Sequence, residues 1–199
     1  MLAGDIVEMA VRPWRRLPRL VDGRPLWLAA AIVLGVGVAC TGVSLAAVAT
    51  EPQAGEQRAA DVGFSLVLPA LFLGVWLLDA LIVDAVAQLM GRPSRHRRYL
   101  EVSAYTLPVL AVCELVRLLQ AAMDRAAGRA GDDAAVAVGF LDFVVLAWFV
   151  VVVTATIRAV YDLPPPSALA AALSPPAAAA TLLLVLLVVA TVLHVLGGG

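Results

Sequence analysis

The chain has 199 residues, of which 62% are hydrophobic and 15% charged, and its mean hydropathy is +0.96. About 25% of a typical soluble domain is charged, so a water-soluble fold could not cover this much apolar surface. The net charge of −1 supplies no global basic field, which argues against nucleic acid as a partner, and every basic side chain other than histidine is an arginine.

A hydrocarbon core of ~30 Å takes about 20 apolar helical residues to cross. Ahead of the first such run, "LAGDIVEMAVR" places Asp5, Glu8 and Arg12 on one helical face and Leu2, Ile6, Met9 and Ala10 on the other. That is the spacing of an amphipathic helix. Pro13 ends it, and "WRRLPRL" follows, where Trp14, Arg15 and Arg16 suit a headgroup layer. Residues 1–25 are expected to form this amphipathic interfacial segment. Residues 26–199 are expected to form a membrane domain of five spans, at about 26–49, 62–90, 99–122, 135–160 and 176–196. The runs are too long, and too poor in polar alternation, for barrel strands. The fold class is therefore an all-α polytopic membrane protein.

Within the spans, Ala31, Gly35 and Ala39 form a stripe of small residues, expected to admit a neighbouring helix of the same chain. Pro69 and Pro108 should bend the second and third spans. The prolines at 164–166 mark a turn, and Ser174 with Pro175 and Pro176 marks the start of the last span. Cys40 and Cys113 both lie in apolar runs and read as small hydrophobes.

Arginine asymmetry orients the chain. Arg12, Arg15, Arg16, Arg19 and Arg24 precede the first span, Arg92, Arg95, Arg97 and Arg98 join the second to the third, and Arg158 ends the fourth. The opposite side carries Arg58, Arg125 and Arg129 amid six acids. The N-terminus and the 91–98 loop are expected in the cytoplasm and the C-terminus outside, in a bacterial cytoplasmic (inner) membrane. Trp14, Arg15, Arg16, Arg95, Arg97 and Arg98 form a candidate face for anionic lipid head groups or a partner protein.

Charges inside spans cost about 2.5–3.5 kcal/mol each at helix centre and usually have partners. Depth along the spans groups Asp84, Glu101 and Arg158 in the inner leaflet and Glu114, Arg117 and Asp142 in the outer one. Asp79 has no cation at its depth and must be protonated, bonded to hydroxyls or backbone, or exposed to a cavity. These acids read either as glue between helices or as an ion path. No catalytic, cofactor or metal site is expected: the two histidines, His96 and His194, are far apart, and no H-E-x-x-H, P-loop or dinucleotide fingerprint occurs.

The lead-in "IVEMAVRPWRRLPRLVDGRP", the glycine-led loop "GRPSRHRRYLEVSAYTLP" with Tyr105 and Pro108, and "TIRAVYDLPPPSALAAAL" before the last span resemble bacterial members of the Yip family. These are five-span proteins named after the yeast Ypt-interacting membrane proteins. The resemblance covers nearly the whole chain. This chain has a single glycine, Gly91, where members often have two, and it lacks the acidic soluble N-terminal region of eukaryotic relatives. The resemblance implies a cytoplasmic N-terminus and an external C-terminus. The expected function is a non-enzymatic, membrane-organising or partner-binding scaffold, able to meet a membrane protein or a second copy of itself. The alternative is a small transporter or channel using Asp79, Asp84 and Asp142.

Overall fold

The computed structural model describes residues 2–12, 17, 25–50, 55–112, 116 and 132–197. All regular structure among the described residues is helical. Six helices follow one another: α1 (Leu2–Val11), α2 (Leu26–Thr50), α3 (Gly55–Leu89), α4 (His96–Ser103), α5 (Asp132–Tyr161) and α6 (Pro165–Gly197). Four of them, α2, α3, α5 and α6, are long and apolar enough to cross a membrane.

The hairpin of α2 and α3 is held by one close approach. A Cβ on Gly37 would stand 2.7 Å from the Cα of Pro69. Pro69 lacks an N–H, so the carbonyl of Ser65, four residues back, loses its helical partner. The Thr41 hydroxyl lies 2.9 Å from the Ser65 carbonyl oxygen and 3.0 Å from the Gly37 carbonyl oxygen of its own helix, and shares its one proton between them. The Ser44 and Ser65 hydroxyls meet beside it at 2.8 Å. Glycine, threonine and proline thus act together: the missing side chain admits the neighbour, and the neighbour's hydroxyl repairs the kink. The face of α2 turned to α3 carries Ile32, Val33, Val36, Gly37 and Cys40, all buried. Ala31, Gly35 and Ala39 are exposed instead, so the expected packing of that stripe within the chain is corrected. Gly37, on the opposite side of the helix, is the small residue that admits α3.

The last helix also departs from expectation. α6 begins at Pro165, in the proline run read as a turn, and continues through Pro175 and Pro176. Proline suits a first turn because its missing N–H has no helical acceptor there. Inside the helix, Pro175 orphans the Ala171 carbonyl, and the Ser174 hydroxyl donates to that oxygen at 2.7 Å. The helix survives its prolines because a hydroxyl lies within reach.

The expected third span, 99–122, is described only to residue 112 and at 116. Over that part it is not one helix. α4 stops at Ser103, residues 104–107 turn, and residues 108–112 are helical again. The turn is built from short i→i+3 bonds, Tyr105 N–H to Val102 and Thr106 N–H to Ser103, with the Thr106 hydroxyl also on the Ser103 carbonyl. Pro108 disfavours helical geometry at Leu107 and then opens the next segment. It starts a helical piece rather than bending one.

α4 is the hub of the molecule. It touches α2, α3 and α5, and Tyr99 through Ser103 are buried. The core gathers Ile32, Val33, Ala80, Val83, Tyr99, Tyr105, Ile157 and Tyr161 around it, and Met9 of α1 joins the same cluster. This core lies at one end, where α3 stops, α5 stops and α6 starts. Away from it the helices expose Leu, Val and Phe: only 6% of the apolar window of α6 is buried inside the protein. Soluble proteins do not present apolar surface on that scale, so lipid must cover it.

Candidate functional site

The loop after α3 is shaped by a helix stop. Gly91 has φ +78°, the left-handed conformation glycine adopts without cost. Gly91 N–H bonds the Gln88 carbonyl and Arg92 N–H the Ala87 carbonyl, the paired bonds of a Schellman cap. The chain reverses there and brings residues 92–95 back against α3.

Asp84 is the anchor. Its Oδ1 accepts from the Tyr161 hydroxyl at 2.8 Å and from the Arg95 backbone N–H at 2.9 Å. Its Oδ2 accepts from the Ser94 hydroxyl at 2.7 Å and from Gln88 Nε2 at 2.8 Å. An ionised carboxylate is acceptor-only, with about four lone-pair sites, and all are matched here. One side chain therefore ties the end of α3, the loop and the end of α5 together.

The arginines of the loop close the same joint from outside. Arg92 donates to the Asp162 carbonyl at 2.6 Å, and the Arg95 guanidinium donates to the Val160 carbonyl. The Val160 carbonyl belongs to the last turn of α5 and the Asp162 carbonyl lies just beyond it, at the end where a helix favours cations. Arg95 also stands 3.4 Å from the Asp162 carboxylate, an exposed contact of small energetic value. Asp162 has φ +53° and ends α5 in the left-handed region that aspartate tolerates.

A second pair lies one turn deeper. Asp79 accepts from the Tyr99 hydroxyl at 3.0 Å, so of the possibilities open to it the hydroxyl partner is the one formed. Trp76 Nε1 donates to Ser103 at 3.0 Å, and the rings of Tyr99 and Tyr161 are 6.0 Å apart. The register that sets Gly37 against Pro69 and Thr41 against Ser65 continues to place Trp27 level with Asp79. Trp27 is 70% exposed at the start of α2, as expected of a residue at a membrane–water boundary. α3 is 35 residues long, about 52 Å, which exceeds a hydrocarbon core of ~30 Å.

The expected trio of Asp84, Glu101 and Arg158 is not assembled. Glu101 pairs with Arg97 one turn earlier at 3.1 Å, and Arg158 is exposed on α5 with neither acid. The reason is local: the Schellman cap returns a backbone N–H and a serine to Asp84, and the arginine side chains are drawn to the end of α5. Asp142 is half-buried on α5. Its expected companions Glu114 and Arg117, and the lead-in residues Trp14, Arg15 and Arg16, lie outside the described residues. Tyr99, Tyr161, Ser94 and Asp162 complete the site and were not among the expected residues. Among the described residues no group of three or more His, Cys, Asp or Glu could hold a metal ion.

The family model of the Yip1 domain matches residues 8–189, nearly the whole chain. This chain belongs to the Yip1-domain family. No curated protein and no solved structure matches it. Its Yip1 domain includes every described helix that could span the bilayer, and with four such helices it is a multi-pass membrane protein.

Proposed function

We propose that this Yip1-domain protein is a non-enzymatic scaffold of the bacterial cytoplasmic membrane, presenting a fixed arginine-rich surface to anionic lipid and to a membrane-protein partner or a second copy. The observation that carries this reading is the saturation of Asp84. Four donors fill it, so its role is to hold the loop at 91–95 in one shape. Asp79 is likewise committed to the Tyr99 hydroxyl. Acids so placed serve as joints between elements, whereas transport sites lie near the midplane on broken helices.

The topology is part of the proposal. α3 and α5 both end at the arginine-rich joint and both are long enough to cross, an arrangement that favours one more crossing between them. That supports the reading of a fifth crossing, with the N-terminus in the cytoplasm and, given the odd number of spans, the C-terminus outside. α1 lies along the cytoplasmic face as an interfacial helix, with Met9 in the core and Val7 and Val11 exposed for lipid.

The test is isolation in mild detergent of the wild type, a variant lacking residues 1–25, and a double variant Arg97→Gln, Arg98→Gln. The proposal expects a companion at fixed stoichiometry, heterologous or a second copy, that is lost in either variant. A monomer that comes out alone, and that conducts ions in liposomes, contradicts it.

A further inference from the structure

The arginines at the joint are not equivalent. Arg92 and Arg95 are bound to the end of α5, Arg97 is bound to Glu101, and Arg98 is also engaged within the molecule. Arg158 is exposed, and among the described residues its side chain meets no carboxylate or carbonyl. Its position on α5 is specific. Phe140, Val144, Ala147 and Val151 are exposed along one stripe, at helical spacings of four, three and four. Arg158 continues that stripe seven residues further on, on the same face. The buried face, with Val152, Thr156, Ile157 and Val160, lies on the other side. Arg158 therefore points away from the bundle, into whatever covers the stripe.

Its neighbours bound its height: the Tyr161 hydroxyl reaches Asp84, five residues beyond Asp79 on α3. Arg158 stands three residues before Tyr161, about 4.5 Å back toward the membrane centre, which brings it near the tryptophan level. A guanidinium at that height, with five donors and an apolar stripe leading up to it, faces the phosphate layer of the leaflet. Arginine matches the geometry of a phosphate oxygen pair.

We infer that Arg158 binds the phosphate of an acidic phospholipid whose acyl chains lie along Val151, Ala147 and Val144. This deepens the lipid-facing part of the proposed function and rests on it, but it is independent of any protein partner. It also relocates the lipid contact: Arg95, expected at the lipid face, belongs to the internal joint, and Arg158 takes that place.

The experiment is native mass spectrometry of the full chain, purified in detergent and titrated with phosphatidylglycerol or phosphatidylcholine. The wild type is expected to retain phosphatidylglycerol selectively. Arg158→Gln should lower that retention about fivefold, the effect of one basic residue at a lipid surface, whereas Arg58→Gln, at the polar start of α3, should not. Thermal unfolding of both variants should match the wild type, since both side chains are exposed. Equal retention by Arg158→Gln, or equal retention of the two lipids by the wild type, overturns the inference. Displacement of the phosphatidylglycerol by millimolar inorganic phosphate would also overturn it, because it would show an ion site rather than a lipid site. Loss of the protein companion in the isolation experiment, with lipid retention unchanged, would leave this inference standing and remove only the scaffold reading.

Discussion

Four donors converge on the carboxylate of Asp84, and truncating it strands the buried Tyr161 hydroxyl and the Arg95 N–H together, while the exposed Ser94 and Gln88 turn to water. A buried donor left without a partner costs about 1–3 kcal/mol. Asp84→Ala is expected to destabilise the protein by roughly 3 kcal/mol, lowering its unfolding midpoint by roughly 6–12 °C for a chain of this size. Asp84→Asn keeps one acceptor oxygen and should lose about half as much. Thermal unfolding in detergent measures both. Gly37 and Gly35 make a second contrast on one helix. A methyl at Gly37 meets the Pro69 backbone at 2.7 Å, while nothing lies within 4 Å of one at Gly35. Gly37→Ala should therefore destabilise the α2–α3 hairpin, and Gly35→Ala should be neutral or stabilising by up to about 1 kcal/mol from helix propensity. Equal effects would place the contact face of α2 elsewhere.

At the scale of elements, α4 has only eight residues, yet it touches three other helices. Isolated helices of that length do not persist in water. Its stability comes from burial and from Tyr99 and Ser103 bonding to Asp79 and Trp76. Hydrogen exchange of residues 99–103 is expected to be as slow as that of α3. Exchange within seconds would mean that α4 opens independently. Hydropathy alone did not reveal this element. "YLEVSAYTLPVLAVCELVRLLQAA" is apolar enough for a span, but its first half is stopped ahead of a proline, where the Thr106 hydroxyl bonds the Ser103 carbonyl. Apolar runs did locate α2, α3 and α5 to within a few residues, except where α3 extends seven residues earlier than its apolar run. The extension "GEQRAAD" is polar and outside the hydrocarbon, so hydropathy had no purchase on it. The partners of Asp84 were illegible for a different reason. Tyr161 is 77 residues away, and only the fold brings it near.

For the whole molecule, the core sits at the arginine-rich end and the remaining helix surface is given to lipid. Terminal reporter fusions should place the two chain ends on opposite sides of the membrane, with the N-terminus cytoplasmic; both on one side would contradict the five-crossing topology. The central claim is that the membrane-proximal acids are joints and not a conduction path. Its most direct test is proton-gradient-driven flux in liposomes containing the wild type and Asp84→Asn, with the unfolding midpoint of each measured in the same preparation. The account predicts no flux above empty liposomes for either protein and a lower midpoint for Asp84→Asn. A wild-type flux that Asp84→Asn abolishes, at an unchanged midpoint, would contradict it.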